Sequence, residues 1–138
     1  MGVRPDWLEL EITEAVLVDT DKRDRHTLQK IVDLGMSLAI DDFGSGYSSL
    51  AYLKRLPVDK IKIEQAFIRD IGVDPDAEAI VRAIVTLGRQ LGKRVVAEGV
   101  ETSRQAAFLL NTGCDEAQGF HFAKPLPEDR LMAWIDQY

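Results

Sequence analysis

A chain of 138 residues, 46% hydrophobic and 29% charged, has the composition of one soluble globular domain. No apolar run approaches the length of about eighteen residues that a membrane-spanning helix needs, and no charged segment followed by an apolar stretch opens the chain as a secretion signal would. The net charge of −6 argues against a surface that tracks a nucleic-acid polymer, where Lys and Arg cluster. An acidic protein can still handle phosphate if cations intervene. Cys114 is the sole cysteine, so there is no intramolecular disulfide, which suits a reducing cytoplasm.

Trp7 to Ile12 reads as a first strand. From Lys22 to Leu34 the spacing of Leu28, Ile31, Val32 and Leu34 predicts a helix, stopped at Gly35. Ser37 to Ile40 is a short apolar strand running into a loop, Asp41 to Ser48, that holds two glycines. Ser48 or Ser49 can cap a short helix through Leu50, Leu53 and Lys54, which Pro57 ends. Lys60 to Ile63 is the third strand. Asp74 caps a helix with Pro75 at its first position, and Ile80, Ile84, Leu87 and Leu91 keep one apolar face until Gly92. Arg94 to Ala97 is the fourth strand, Thr102 to Asn111 a helix closed at Gly113, and Glu116 to Phe120 the fifth strand. Pro127 opens a last helix whose Leu131, Trp134 and Ile135 are expected to pack inward.

This βα alternation implies a parallel sheet with helices outside it. A closed (β/α)8 barrel takes roughly 250 residues, so five units leave two expectations: an open doubly wound sheet, or part of a barrel. The first is weakened because no Gly-x-Gly-x-x-Gly follows the first strand.

Each strand ends in polar residues after an apolar run. Glu11 and Glu14 follow the first, Asp41 and Asp42 the second, Lys62 lies on the third, Glu98 and Glu101 follow the fourth, and Gln118 lies on the fifth. One such Glu alone is more often a solvated loop residue, and Asp41-Asp42 alone could be a simple turn. All five together read as a functional rim, because the C-terminal ends of parallel strands converge on one side. Glu11, Asp41, Asp42, Glu98 and Glu101 would put five carboxylates on one rim against one lysine, and they repel one another unless cations lie among them. Oxygen ligands without a His or Cys cluster suit Mg²⁺ or Mn²⁺. Adjacent aspartates can place a carboxylate between two metals about 3.5–4 Å apart, a spacing that serves phosphodiester cleavage. His26 is expected to face solvent, His121 to lie just past Gln118, and Cys114 to be a small buried residue.

These segments resemble the motifs of EAL domains. Leu10-Glu11-Ile12-Thr13-Glu14 resembles E-L/I-T-E, and Asp41 to Leu50 resembles the D-D-F-G-x-G-Y-S-S-L loop. Leu56-Pro57-Val58-Asp59 with Lys62-Ile63 resembles L-P-x-D-x-x-K-I-D. Val96 to Thr102 resembles V-A-E-G-V-E-T, and Gln118-Gly119-Phe120 with Lys124-Pro125-Leu126 resembles Q-G-Y/F followed by x-P-L. The likeness runs from about Gly2 to the end of the chain.

The resemblance implies a partial TIM-type (β/α)8 barrel in an α/β fold, with residues 1–138 as the C-terminal part of a single EAL domain whose N-terminal units are missing. It implies a phosphodiesterase that linearises cyclic di-GMP to pGpG with two Mg²⁺ or Mn²⁺ ions. By motif, Glu11, Asp41 and Asp42 resemble metal ligands, Asp41 bridging, with Glu101 as a nearby metal-site and loop support. Lys62 resembles the residue that orders the catalytic water, and Glu98 a general base or second-metal ligand. Gln118 and Pro125 resemble substrate-site residues. Glu14 resembles the anchor of the Asp41–Ser49 loop, with Gly44 and Gly46 supplying its flexibility, at a usual homodimer contact.

The Glu-Ala-Leu signature and a downstream Asn ligand are absent, Ile63-Glu64 stands for Ile-Asp, Gln65-Ala66 for Arg-Ser, and Ala123 for a frequent Ser. The expectation is therefore little activity for these residues alone. The alternatives are a receptor that binds cyclic di-GMP without cutting it, or a dimerising remnant with open sheet edges. A cytoplasmic location is expected, with no membrane contact by this segment. A membrane anchor on the parent protein, and sensory or GGDEF domains upstream, are left open.

Overall fold

Period-two alternation of charged and aliphatic residues at 9–12 and 60–63, and continuous small or aliphatic runs at 38–40 and 95–97, build short strands that all run the same way. The computed structural model describes residues 2–14, 22–46 and 53–137. Among them, β1 (Glu9–Thr13), β2 (Ser37–Phe43), β3 (Lys60–Ile63), β4 (Arg94–Ala97) and β5 (Glu116–Ala117) form one sheet in sequential order, each neighbouring pair parallel. Between and after them lie α1 (Lys22–Asp33), α2 (Gln65–Arg69), α3 (Pro75–Gln90), α4 (Ser103–Thr112) and α5 (Glu128–Ile135). A doubly wound sheet reverses its strand order at a switch point, whereas this order never reverses. The arrangement is that of a barrel wall, as expected.

One face of the sheet makes the core. Leu38, Ile40, Ile61, Ile63, Val95 and Ala97 are fully buried and join Val81, Ile84 and Val85 of α3 and Leu109 of α4 in one cluster. Each Leu, Ile or Val among them contributes about 1.5–3 kcal/mol by leaving water. Local signals fix the helix ends. Asp74 Oδ1 accepts from the Asp76 amide at 2.9 Å ahead of Pro75. Thr102 and Gln105 form a capping box, and Gly113 closes α4 at φ 78°.

Several elements differ from the sequence expectation, each for a local reason. Trp7 lies in a 3₁₀ turn, Pro5–Trp7, and β1 starts only at Glu9. Strand β2 runs on to Phe43, because Asp41 still pairs with Thr13 of β1. Strand β5 stops at Ala117, since the next backbone groups bond to Ala97 and Val100 instead. Helix α2 was not anticipated. On α3 the buried phase runs through Ala77, Val81, Ile84 and Val85, which leaves Ile80 exposed. Leu131 and Ile135 of α5 are exposed and Trp134 half-buried, because no strand beyond β5 lies under that helix among the described residues. The expected short helix through Leu50 lies largely outside the described residues; Leu53, at its end, is buried. No described helix is long and apolar enough to cross a membrane.

Candidate active site at the strand ends

The face of the sheet opposite the core carries charge. Glu11 on β1 lies between Leu10 and Ile12, and Lys62 on β3 between the buried Ile61 and Ile63, and both project from that face. Lys62 is 7% exposed. Its Nζ donates to Glu11 Oε1 and lies 2.8 Å from Glu98 Oε1, just past the end of β4. Burial alone would push the Lys62 pKa down. Hydrogen bonds and attraction from Glu11 and Glu98 outweigh it, so the ammonium is held above the usual lysine range and stays charged.

Beside this trio, β2 is irregular. Ile40 pairs with Ile61 and Phe43 with Ile63, so β2 has one residue more than β3 over the same step. Asp42 has φ 54°, a left-handed conformation that Asp tolerates better than most residues. The bulge releases Asp41 and Asp42 from strict alternation between faces. Asp41 Oδ1 accepts from the Asp42 amide at 2.9 Å, and Asp42 is exposed.

The loop that follows is tied back to β1. Glu14 is 1% exposed, and its Oε2 accepts from the Gly44 amide, the Ser45 amide and the Ser45 hydroxyl at 2.9, 3.1 and 3.0 Å. Gly44 (φ 109°) packs so closely on Phe67 that a Cβ there would lie 2.7 Å from Cε2. Gly46 has φ 112°, and a Cβ there would lie within 4 Å of none of the described residues beyond its chain neighbours.

The Glu98 loop is zipped to the Gln118 turn through the fully buried Val100. The Val100 amide donates to the Gln118 carbonyl at 3.0 Å, and the His121 amide to the Val100 carbonyl at 2.9 Å. Gln105 accepts from the Glu101 and Thr102 amides at 2.8 and 3.0 Å. Glu101, Gln118 and Pro125 are exposed along this edge, as are His121 and, on α1, His26. Sequence reasoning missed Ser45 and Gln105. The second was readable, since Thr102-x-x-Gln105 is a capping-box pattern.

Among the described residues, no three His, Cys, Asp or Glu side chains stand close enough to make a ready metal cage. Glu11 and Glu98 turn instead to the nearest cation, the Lys62 ammonium. The donor chemistry nevertheless fits a hard divalent ion. All candidate ligands are carboxylate oxygens, and two of them already converge on a single cationic centre.

Comparison with known proteins comes down to one family. A family model described as EAL domain matches residues 1–125. The chain is 43% identical over 131 residues to the cyclic di-GMP phosphodiesterase PdeR of Escherichia coli, covering 95% of this chain and 20% of that protein. It superposes on a solved structure described as the PaMucR phosphodiesterase in complex with c-di-GMP, with a TM-score of 0.88 and 45% identity, over 94% of this chain and 52% of that one. BlrP1 of Klebsiella pneumoniae, solved with manganese and cyclic di-GMP, superposes with a TM-score of 0.81 and 42% identity, over 90% of this chain and 32% of that one. The chain thus spans about a fifth of the first relative and about half of the PaMucR chain.

Proposed function

Because the chain belongs to the EAL domain family, we propose that residues 1–138 form the C-terminal part of a phosphodiesterase domain that hydrolyses cyclic di-GMP to pGpG. The observation that carries this reading is the buried Lys62 ammonium held between Glu11 and Glu98 at the strand ends. A lysine so placed stays charged and cannot wander.

In the proposed reaction a water oxygen attacks phosphorus, the bond to the ribose 3′ oxygen breaks, and that oxygen takes up a proton from solvent as the dinucleotide opens. The Glu98 carboxylate takes the water proton as general base. The Lys62 ammonium orders that water and offsets charge growing on the phosphate oxygens. Glu11, Asp41 and Asp42 are the residues that would hold Mg²⁺ or Mn²⁺ in a two-ion site, with Glu101 supporting it. When bound, such ions neutralise the phosphodiester and favour ionisation of water. Gln118 and Pro125, exposed on the adjoining edge, are proposed to contact the nucleotide. Glu14 is proposed to anchor the loop through Gly44 and Gly46 at a homodimer contact. A cytoplasmic site of action fits the lone, unpaired Cys114.

The test is chromatographic assay of pGpG release by the natural protein carrying this segment, with Mn²⁺ added. Glu98→Gln is expected to lower kcat by about a hundredfold or more, while cyclic di-GMP still binds. Undiminished hydrolysis by that variant would overturn the assignment. Tight binding by the wild type without any turnover would make the domain a receptor. The isolated 138-residue chain is expected to turn over little substrate, since the relatives' solved domains extend well beyond it.

A further inference from the structure

Two residues below the site, on the same face, the strands carry a second tier of charges. Glu9 precedes Glu11 by two and Lys60 precedes Lys62 by two, which puts each pair on one face of its strand. Lys60 Nζ lies 2.8 Å from Glu9 Oε2 and 3.6 Å from Glu116 Oε2. Arg94 reaches Glu116 Oε1 at 2.6 Å, and the Ser37 hydroxyl donates to Glu9 Oε2 at 3.2 Å. Every one of the five strands contributes a side chain to this tier. Its plan repeats that of the tier above: a lysine on β3 between two glutamates.

The strand ladder alone does not set the distance across the site. Glu11 is on β1 and Glu98 follows β4, with two strands between them. Each step between neighbours carries twist, roughly 20–25°, so small changes accumulate across the sheet. Lys60 spans that gap directly. It reaches over β2, which at this height offers only the small residues Ser37 and Ala39, and over β4 to β5. The side chains of Lys60, Glu9 and Glu116 are only 20, 28 and 32% exposed, so the bridge is partly shielded from solvent. Two carboxylates face two cations in this tier, whereas Lys62 alone faces Glu11 and Glu98 above. Unbalanced negative charge is thus confined to the rim.

We propose that Lys60 is a positioning residue for the Lys62 site: by tying β1 to β5 beneath it, Lys60 sets the spacing at which Glu11 and Glu98 meet Lys62. The catalytic consequence rests on the phosphodiesterase reading. A misplacement of about 1 Å in such a site costs on the order of a hundredfold in rate, so a modest loosening is readable.

The test compares Lys60→Met, Lys60→Arg and Glu116→Gln with wild type in the natural protein carrying this segment. Three readouts are taken: the ¹⁵N-ammonium resonance of Lys62, the kcat and KM for cyclic di-GMP with Mn²⁺, and the melting temperature. Lys60→Met is expected to shift the Lys62 resonance and lower kcat about tenfold with KM within about twofold, and Lys60→Arg to restore both. An unmoved Lys62 resonance, or a lower melting temperature with unchanged kcat, would overturn the proposal. If Lys60→Met fails to fold, Glu116→Gln, which keeps the Lys60–Glu9 half of the bridge, decides the matter by the same readouts. Should the wild type prove unable to hydrolyse cyclic di-GMP, the functional reading fails. The Lys62 resonance then still decides whether the two tiers are coupled.

Discussion

Glu14 holds Gly44 by its backbone: the buried carboxylate takes the Gly44 amide at 2.9 Å from thirty residues upstream, and Ser45 adds two more donors to the same oxygen. A carboxylate buried this deeply is tolerated because those donors replace lost water. Glu14→Gln keeps the shape but presents an amide whose NH₂ cannot accept. The expected loss is about 1–3 kcal/mol, read as a lower denaturation midpoint, with faster hydrogen exchange at Gly44 and Ser45. Unchanged exchange at those two amides would show that the carboxylate does not hold the loop.

Thr102 offers a cleaner local test. Its hydroxyl accepts from the Gln105 amide at 3.2 Å while the Gln105 side chain returns to the Thr102 amide at 3.0 Å. Thr102→Ala should cost about 1 kcal/mol, the usual value of such a cap. Gln105→Ala should cost more, because it also strands the Glu101 amide, bonded at 2.8 Å. Chemical denaturation of both variants settles the order.

Strands β3 and β4 were legible to the residue because local punctuation bounds them: Pro57 before Lys60, and Gly92 before Arg94. The ends of β2 and β5 were not, because distant partners decide them. Asp41 stays in the sheet through Thr13, and Gln118 leaves it through Val100. The trio of Glu11, Lys62 and Glu98 could be nominated from strand-end positions, but their convergence is a matter of sheet geometry. Lys60 and Glu9 look in the sequence like ordinary solvent-facing residues of alternating strands. Only the parallel register brings them together. Ile80 and Val81 differ by one helical position, which the apolar run on α3 cannot resolve by itself.

Cys114 gives a pH prediction. Burial pushes its thiol above the ordinary cysteine range, though it donates to the Glu116 and Val95 carbonyls at 3.3 and 3.4 Å. The fold therefore favours the neutral thiol. The resulting stability is present in full below the unfolded thiol's pKa of about 8.5 and is lost as pH rises through the higher folded value. Iodoacetamide at about pH 8 should label the native chain at least tenfold more slowly than the unfolded chain. Equal labelling rates would refute the burial argument. In Cys114→Ala the alkaline decline in stability should be shallower.

Gly119 is the point where the two halves of the rim touch. A Cβ on Gly119 would run into the Val100 backbone, meeting its nitrogen and oxygen and lying 2.7 Å from its carbonyl carbon. Backbone cannot rotate aside as a flexible side chain can, so one loop must move. Val100 is two residues after Glu98, and it is bonded on one side to Gln118 and on the other to His121. Gly119→Ala should therefore cost about 1–3 kcal/mol in overpacking. It should also displace Glu98 from Lys62, now 2.8 Å apart. The second effect separates this site from ordinary core strain. At temperatures well below melting, kcat should fall about tenfold or more while the protein remains folded by circular dichroism. Gly99 is the control, because the three atoms nearest to a Cβ there all belong to the flexible Gln65 side chain and none to backbone. Gly99 does have φ 72°, so the comparison is made with Gly99→Asn, which tolerates that conformation. If Gly119→Ala and Gly99→Asn lower kcat equally, the Val100 contact has no special part in placing Glu98.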